Sequence, residues 1–313
     1  MKHERWALSE FLLELYENAR TLAPASFQQT TLASLKRFVG FDFAAWGGGS
    51  APDRQVTDVV VLNQSVGLFR EWMEVAHCDQ YCDLALRRLN HTVLFDDLAR
   101  FRHSFAYNEH WRRFDARNMV ATIMAEPLDG YVSFIGLCNT DIRERFTEEH
   151  RETKQLLMPH LSAALRLNRE TQLLLEAEPA EGLAIVNRAG WVLASRSPFA
   201  ALMRAEWGAT AHRMPHAVLP QQPMTRHWRG RAVQIRMQPL GEYYLVRVAP
   251  RTPLDRMTER EQQVAERFAC GLSYKEVARE LGIAPGTVRN HLAHIYDKLG
   301  VSTKLELVRL LSG

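Results

Sequence analysis

Helix start and stop signals are concentrated in the last sixty or so residues of the chain. Two capping boxes occur there, Thr258–Glu261 and Ser273–Glu276, each with a hydroxyl residue three positions before a glutamate. Gly271, Gly282 and Gly300 stand where a glycine commonly ends a helix. Signals so closely spaced predict four short helices over this segment, since each pair of start and stop leaves room for only a few turns.

The middle two of these helices have the proportions of a helix-turn-helix. They are predicted over Ser273–Leu281 and Pro285–Leu299, with Gly282-Ile283-Ala284 as the turn between them. The second helix carries one apolar stripe at helical spacing, formed by Val288, Leu292, Ile295 and Leu299. This stripe must face the other helices, so the opposite face is expected to be polar and exposed.

A helix that is apolar behind and polar in front suits the major groove of DNA, which is about 12 Å wide. Arg289 is predicted to pair with guanine, Asn290 with adenine, and Ala293 to touch a thymine methyl group. Four further side chains are predicted to contact phosphates, which hold the register without specifying the sequence. They are Tyr274, Lys275, Thr287 and Lys298.

The C-terminal segment resembles the DNA-binding domain of the LuxR/FixJ family. The resemblance is carried by the runs around Thr258–Glu261, Gly271–Ala278 and Thr287–Val301 and covers about 60 of the 313 residues. It implies that the fourth helix forms a dimer contact, through Leu305, Val308 and Leu311. Capping signals alone leave open a plain helical bundle without a DNA-binding role.

Composition adds little to this argument but excludes several classes of protein. The 313 residues contain 39 basic and 36 acidic side chains, a net charge of +3, so charge alone does not indicate nucleic acid. The length favours two or three domains. Four cysteines are too few for a disulfide framework, and we expect neither a membrane span nor a signal peptide, hence a cytoplasmic protein.

The fold class predicted for the whole chain is α+β and multidomain. Residues 1–175 are predicted to form an α/β/α sensor domain, with a strand over Phe41–Trp46 that ends at a Gly47-Gly48-Gly49 turn. This segment resembles GAF-like or autoinducer-binding-like sensor regions. Residues 178–250 resemble a shortened, β-rich PAS domain, and residues 254–313 form the helix-turn-helix domain.

Aromatic and acidic residues of the first segment are candidates for a ligand pocket. They are Trp46, Trp72, Tyr81, Asp83 and Trp111. The spacing of Trp72, Tyr81 and Asp83 partly resembles that of acyl-homoserine-lactone receptors, but Leu84 stands where those receptors carry proline. Ordinary core positions are the alternative for each. His77, Cys78, Cys82 and Asp83 could form a metal or redox site, but no second Cys/His pair accompanies them, so no metal is predicted.

The sequence therefore predicts a transcription regulator controlled by an unknown small-molecule effector. Its expected partners are double-stranded DNA, a second copy of the chain and RNA polymerase, with no cofactor and no membrane. The alternative is a constitutive DNA-binding regulator whose front domains only dimerise or dock partner proteins. No catalytic motif supports an enzyme, and the strand and helix pattern required for a phosphorylated receiver domain is missing.

Overall fold

The computed structural model describes residues 2–128, 130–175, 181–208, 212–222, 224–251 and 253–312. The chain divides into two compact units, residues 1–228 with 235–248, and residues 229–234 with 249–313. Both predicted front domains thus fall within one compact unit. The sequence also predicts a hairpin turn over residues 127–130 and a linker over residues 251–253. Asp129 of that turn, Thr252 of that linker and the domain boundary near residue 178 lie outside the described residues, and the domain limits stay a prediction.

The described residues form ten α-helices and ten strands. The helices are α1 Lys2–Thr21, α2 Pro24–Leu35, α3 Gly67–Val75, α4 Gln80–Arg87, α5 Glu148–Leu175, α6 Phe199–Trp207, α7 Glu259–Ala269, α8 Tyr274–Leu281, α9 Pro285–Leu299 and α10 Lys304–Ser312. The strands are β1 Phe43–Ser50, β2 Gln55–Leu62, β3 Thr92–Leu94, β4 Asn118–Ala125, β5 Tyr131–Asn139, β6 Gly182–Asn187, β7 Val192–Arg196, β8 Arg226–Arg229, β9 Val233–Leu240 and β10 Tyr243–Pro250. None of the helices in the described ranges is long and apolar enough to span a bilayer.

The first sheet is antiparallel and lies between two layers of helices. Its strand order is β2-β1-β5-β4-β3. Side chains alternate along β1, so Ala44 and Trp46 pack with α1, α2 and α5, whereas Phe43 and Ala45 pack with α3 and α4. The predicted α/β/α arrangement is confirmed.

The three consecutive glycines are not a turn, and that prediction was wrong. Gly47, Gly48 and Gly49 continue strand β1, which is buried along its whole length. A Cβ atom on Gly47 would lie 2.4 Å from the carbonyl oxygen of Asp58, and one on Gly48 would lie 2.0 Å from the Tyr131 hydroxyl. Glycine is required here because neighbouring groups approach the backbone closely, not because the chain reverses.

The second sheet is also antiparallel, with the order β7-β6-β10-β9-β8. Helix α6 packs on β6, where Gly182 leaves room for the backbone of Phe199. The end of α5 reaches this sheet as well, because Leu173 is buried with Leu183 and Tyr243. This β-rich arrangement agrees with the predicted second segment.

A buried carboxylate joins the two sheets of the front unit. The Asp58 carboxylate, on β2, accepts hydrogen bonds from the Tyr131 hydroxyl at 3.0 Å and from the Asn187 amide of the second sheet at 2.7 Å. The Arg169 guanidinium of α5 lies 4.0 Å from it and is itself buried. A carboxylate without water requires such partners, so this cluster specifies how the second sheet packs against the first.

The C-terminal helices begin and end where their capping signals predict. Thr258 and Ser273 each accept a hydrogen bond from the backbone N–H three residues on, and the glutamate there reciprocates. Gly282 and Gly300 adopt left-handed conformations at the ends of α8 and α9, with φ of +65° and +66°.

Gly47→Ala tests the central strand. Because its Cβ would collide with backbone that cannot move away, we expect the free energy of unfolding to fall by roughly 1–3 kcal/mol, the usual cost of overpacking. Chemical denaturation measures this. Gly40→Ala is the control, since nothing lies within 4 Å of its added Cβ. Equal stability of the two variants would contradict the close approach described here.

Candidate functional site: nucleic-acid interface and ligand cavity

Helix α9 has one buried and one exposed face. The buried face is the predicted stripe, and all four of its members belong to the core of the C-terminal helices: Val288, Leu292, Ile295 and Leu299. The sharp turn before α9 depends on Gly282, whose left-handed backbone reverses the chain after α8. The buried stripe therefore anchors α9 in the core of the C-terminal helices, and the opposite face of the helix is exposed.

Arg289, Asn290 and Ala293 lie together on this exposed face. No side chain among the described residues forms an ion pair or hydrogen bond with Arg289 or Asn290. The Arg289 guanidinium instead lies over the Tyr274 ring, 5.7 Å from its centroid. The two side chains predicted to donate hydrogen bonds to bases thus lie together. Their donors are not engaged by other side chains among the described residues.

The four predicted phosphate contacts separate into two groups. Tyr274, Lys275 and Thr287 are exposed around the start of α8 and α9. Lys298 is not free in the same way, because its ammonium donates to both carboxylate oxygens of Glu261, at 2.8 and 2.7 Å. Glu261 is buried, so this ion pair stabilises the domain, and the phosphate contact of Lys298 stays a prediction.

Helix α10 presents its predicted dimer residues unequally. Leu305 is 61% exposed, whereas Val308 and Leu311 are half-buried. Leu311 packs against the core of its own domain, together with the fully buried Leu307. Leu305 is therefore the most exposed of the three predicted dimer residues.

The front unit contains an apolar cavity of about 110 Å³ between the first sheet and helices α3 and α4. Trp72, Tyr81 and Trp111, three of the predicted pocket residues, line it. The remaining walls are mostly aliphatic and aromatic, and they include Phe43, Leu68, Phe69, Met119, Ala121 and Phe134.

Asp79 supplies a buried carboxyl group to this cavity, and sequence reasoning missed it. Its carboxylate accepts the indole N–H groups of Trp72 and Trp111 at 2.8 and 2.9 Å. The other oxygen accepts the backbone N–H groups of Tyr81 and Cys82, which makes Asp79 the N-cap of α4. Burial raises the pKa of the Asp79 carboxyl and the four hydrogen bonds oppose that rise. They occupy all the acceptor positions of a carboxylate.

Two predicted pocket residues, Trp46 and Asp83, do not line the cavity. Trp46 points to the opposite face of the sheet, where it packs against Phe27 with ring centroids 5.8 Å apart. Asp83 forms an ion pair with Arg54, a residue of the cavity wall.

The sequence did contain one signal for a structural role of Asp79. It stands immediately before α4, where an aspartate commonly caps a helix.

The cysteines near the cavity do not form a metal site. Across the described ranges, no three His, Cys, Asp or Glu side chains are grouped so that they could hold a metal ion. The Cys78 thiol donates to the carbonyl of Val75. Burial raises the pKa of the Cys82 thiol to about 12, so it carries almost no thiolate at neutral pH. This chemistry does not favour the redox alternative.

Comparison with known proteins identifies the C-terminal region. Residues 255–311 match the family of bacterial regulatory proteins described as the luxR family. The transcriptional regulatory protein UhpA of Escherichia coli is 53% identical over 55 residues, which are 18% of this chain and 28% of UhpA. The probable transcriptional regulatory protein NarL of Mycobacterium tuberculosis is 44% identical over 62 residues, 20% of this chain and 28% of NarL. The match thus spans little more than a quarter of the length of these relatives, whose names describe transcriptional regulatory proteins.

The VqsR LBD domain from Pseudomonas aeruginosa aligns with 53% of this chain and 96% of its own length, with a TM-score of 0.41 and 18% identity.

Glu261→Gln tests the role assigned to Lys298. Burial alone would raise the pKa of Glu261, but the bonds from Lys298 and Thr258 lower it from an ordinary 4.5 to about 2. The ion pair therefore stabilises the domain above pH 4.5, and this contribution is lost as the pH falls toward 2. Glutamine keeps the capping box, so the variant should lose roughly 1–2 kcal/mol at pH 7 and less at pH 3.

Thermal unfolding of the full chain at both pH values measures this difference. Glu280→Gln is the matched control, because its pair with Arg267 is exposed and contributes little. Equal stability of the two variants at pH 7 would mean that the Glu261–Lys298 pair contributes little to folding. Lys298 would then be available to contact a phosphate.

Proposed function

The chain carries a C-terminal domain of the luxR family of bacterial regulatory proteins, and we propose from it that the protein is a DNA-binding transcription regulator. The observation that carries the proposal is the exposed face of α9 with Arg289, Asn290 and Ala293, backed by a buried apolar stripe. Such a helix enters the major groove, where arginine recognises guanine and asparagine recognises adenine. A regulator of this kind acts in the cytoplasm, where bacterial DNA lies.

The remaining contacts of this interface would fix its register on the duplex. Tyr274 and Lys275 at the start of α8 and Thr287 in the first turn of α9 are exposed, and we propose that Lys275, Thr287 and the Tyr274 hydroxyl contact phosphates. The exposed Leu305 and the half-buried Val308 of α10 are proposed to meet the same residues of a second copy. A homodimer would engage two half-sites whose spacing matches the distance between its two α9 helices. RNA polymerase is a further proposed partner.

The proposed effector is a small apolar molecule that binds in the cavity of the front unit. Asp79 has no acceptor position to spare, and the Tyr81 hydroxyl already donates to the carbonyl of Val93 at 2.8 Å. An acyl-homoserine lactone would bring carbonyl groups for which neither Asp79 nor Tyr81 has a hydrogen-bond donor left. The cavity of about 110 Å³ is somewhat smaller than the engineered cavity of about 150 Å³ that binds benzene.

Ligand binding changes DNA affinity only if the ligand prefers one of two arrangements of the protein. The cavity wall includes the β1–β2 hairpin residues Gly49 and Gln55, and β2 also carries Asp58, which holds the second sheet. A ligand that repositions this hairpin would therefore act on both sheets of the front unit.

Arg289→Ala and Lys275→Ala test the DNA interface in the full chain. A duplex is first selected from a random pool, and its dissociation constant is then measured with single base-pair changes and at several salt concentrations. Arg289→Ala should cost roughly 1–3 kcal/mol on the selected duplex and relax the preference at one base pair. Lys275→Ala should weaken binding to all sequences and reduce the salt slope by about one. An Arg289→Ala loss that is equal on every sequence would refute the base contact.

Ala121→Leu tests the cavity by filling it. Benzene and n-hexane are the apolar probes, and hexanoyl-homoserine lactone is the polar comparison. We expect the apolar probes to raise the unfolding temperature by about 2–4 °C per 1 kcal/mol of stabilisation, and Ala121→Leu to abolish the effect. Ala33→Leu, on the exposed surface of α2, should behave like the unmodified chain. A chain that no probe stabilises would favour the constitutive alternative.

A further inference from the structure

Four side chains form a continuous column through the C-terminal domain. The Lys304 ammonium lies 4.2 Å from the centroid of the Phe268 ring. Phe268 stacks on Tyr274 with centroids 5.3 Å apart and an interplanar angle of 14°. The guanidinium of Arg289 lies 5.7 Å from the centroid of the Tyr274 ring. Cations at both ends thus meet aromatic rings, at distances where cation–π attraction operates.

The backbone on either side of Tyr274 fixes the position of this residue, and therefore of its ring, in the column. Tyr274 is the first residue of α8, and the Ser273–Glu276 capping box defines where that helix begins. Gly271, with φ of +102°, lets the chain turn sharply between α7 and α8. The buried Phe268 at the end of α7 then supports one face of the tyrosine ring.

The Tyr274 ring is the group that restrains the Arg289 side chain. Within the described part of the chain, no carboxylate or carbonyl accepts a hydrogen bond from its guanidinium. The Tyr274 hydroxyl likewise has no hydrogen-bond partner there, and the residue is 40% exposed. The ring and the hydroxyl are therefore available for two separate tasks.

We infer that Tyr274 is a positioning residue that orients Arg289 for its base contact. A long side chain loses rotational freedom when it binds, and holding it in place beforehand reduces that cost. The planar guanidinium stacks on a ring face while its N–H groups still point outward. This inference rests on the proposed function, but it assigns the tyrosine ring a role distinct from a phosphate contact by its hydroxyl.

Two substitutions separate the ring from the hydroxyl in the full chain. Tyr274→Leu removes the ring, and Tyr274→Phe keeps it. The measured quantity is discrimination, the ratio of dissociation constants between the selected duplex and the duplex changed at the base pair that Arg289→Ala affects. Tyr274→Leu should lower this ratio about 2- to 5-fold, the strength of an exposed cation–π contact. Tyr274→Phe should leave it unchanged, and an equal loss in both variants would overturn the inference.

A double-mutant cycle tests whether the effect runs through Arg289. In the Arg289→Ala background, Tyr274→Leu should cause no further loss of discrimination. A ratio of two dissociation constants does not depend on the fraction of folded protein, so destabilisation of the domain cannot imitate the result. A Tyr274→Leu effect of the same size with and without Arg289 would show a merely structural role.

The inference and the proposed function fail in different ways. If the unmodified chain bound no duplex, the proposed function itself would be refuted. If the chain bound DNA and Arg289→Ala reduced discrimination while Tyr274→Leu did not, only the positioning role would be refuted.

Discussion

Burial of strand β1 on both faces is the constraint on which the front unit depends. A strand alternates its side chains, so Ala44 and Trp46 build one core while Phe43 and Ala45 build the other. The first core is closed by α1, α2 and α5, and the second contains the cavity beneath α3 and α4. One strand therefore separates a supporting layer from a layer that can hold a ligand.

The same strand makes the junction with the second sheet possible. Gly48 leaves space for the Tyr131 hydroxyl, which donates to the buried Asp58 carboxylate. Asn187 of the second sheet completes that carboxylate's hydrogen bonds. Leaving a buried charge unpaired costs more than most packing defects, so the two sheets are held in one arrangement. The cavity and this junction share the β1–β2 hairpin, so the proposed effector would act on a segment that also contacts the second sheet.

Sequence reasoning succeeded where the physical signal is local. Capping residues and glycines act within one helical turn, so α7, α8 and α9 begin and end as predicted. The stripe on α9 is equally local, because four residues of one helix decide which face is buried. Sequence reasoning failed for the triple glycine, which is common to turns and to crowded strands. It also did not reveal that Lys298 pairs with Glu261, which lies 37 residues away.

The sequence by itself determined the helices of the C-terminal domain and which face of α9 is exposed, since periodicity and capping need no knowledge of distant residues. Only the tertiary structure decided the contents of the cavity. Trp72 and Trp111 meet at Asp79 although they lie 7 and 32 residues from it, and the pairing of strands turns Trp46 to the other side of the sheet. The physical reason is that a buried carboxylate must find its donors in space, and nothing in their spacing along the chain reveals which donors will reach it.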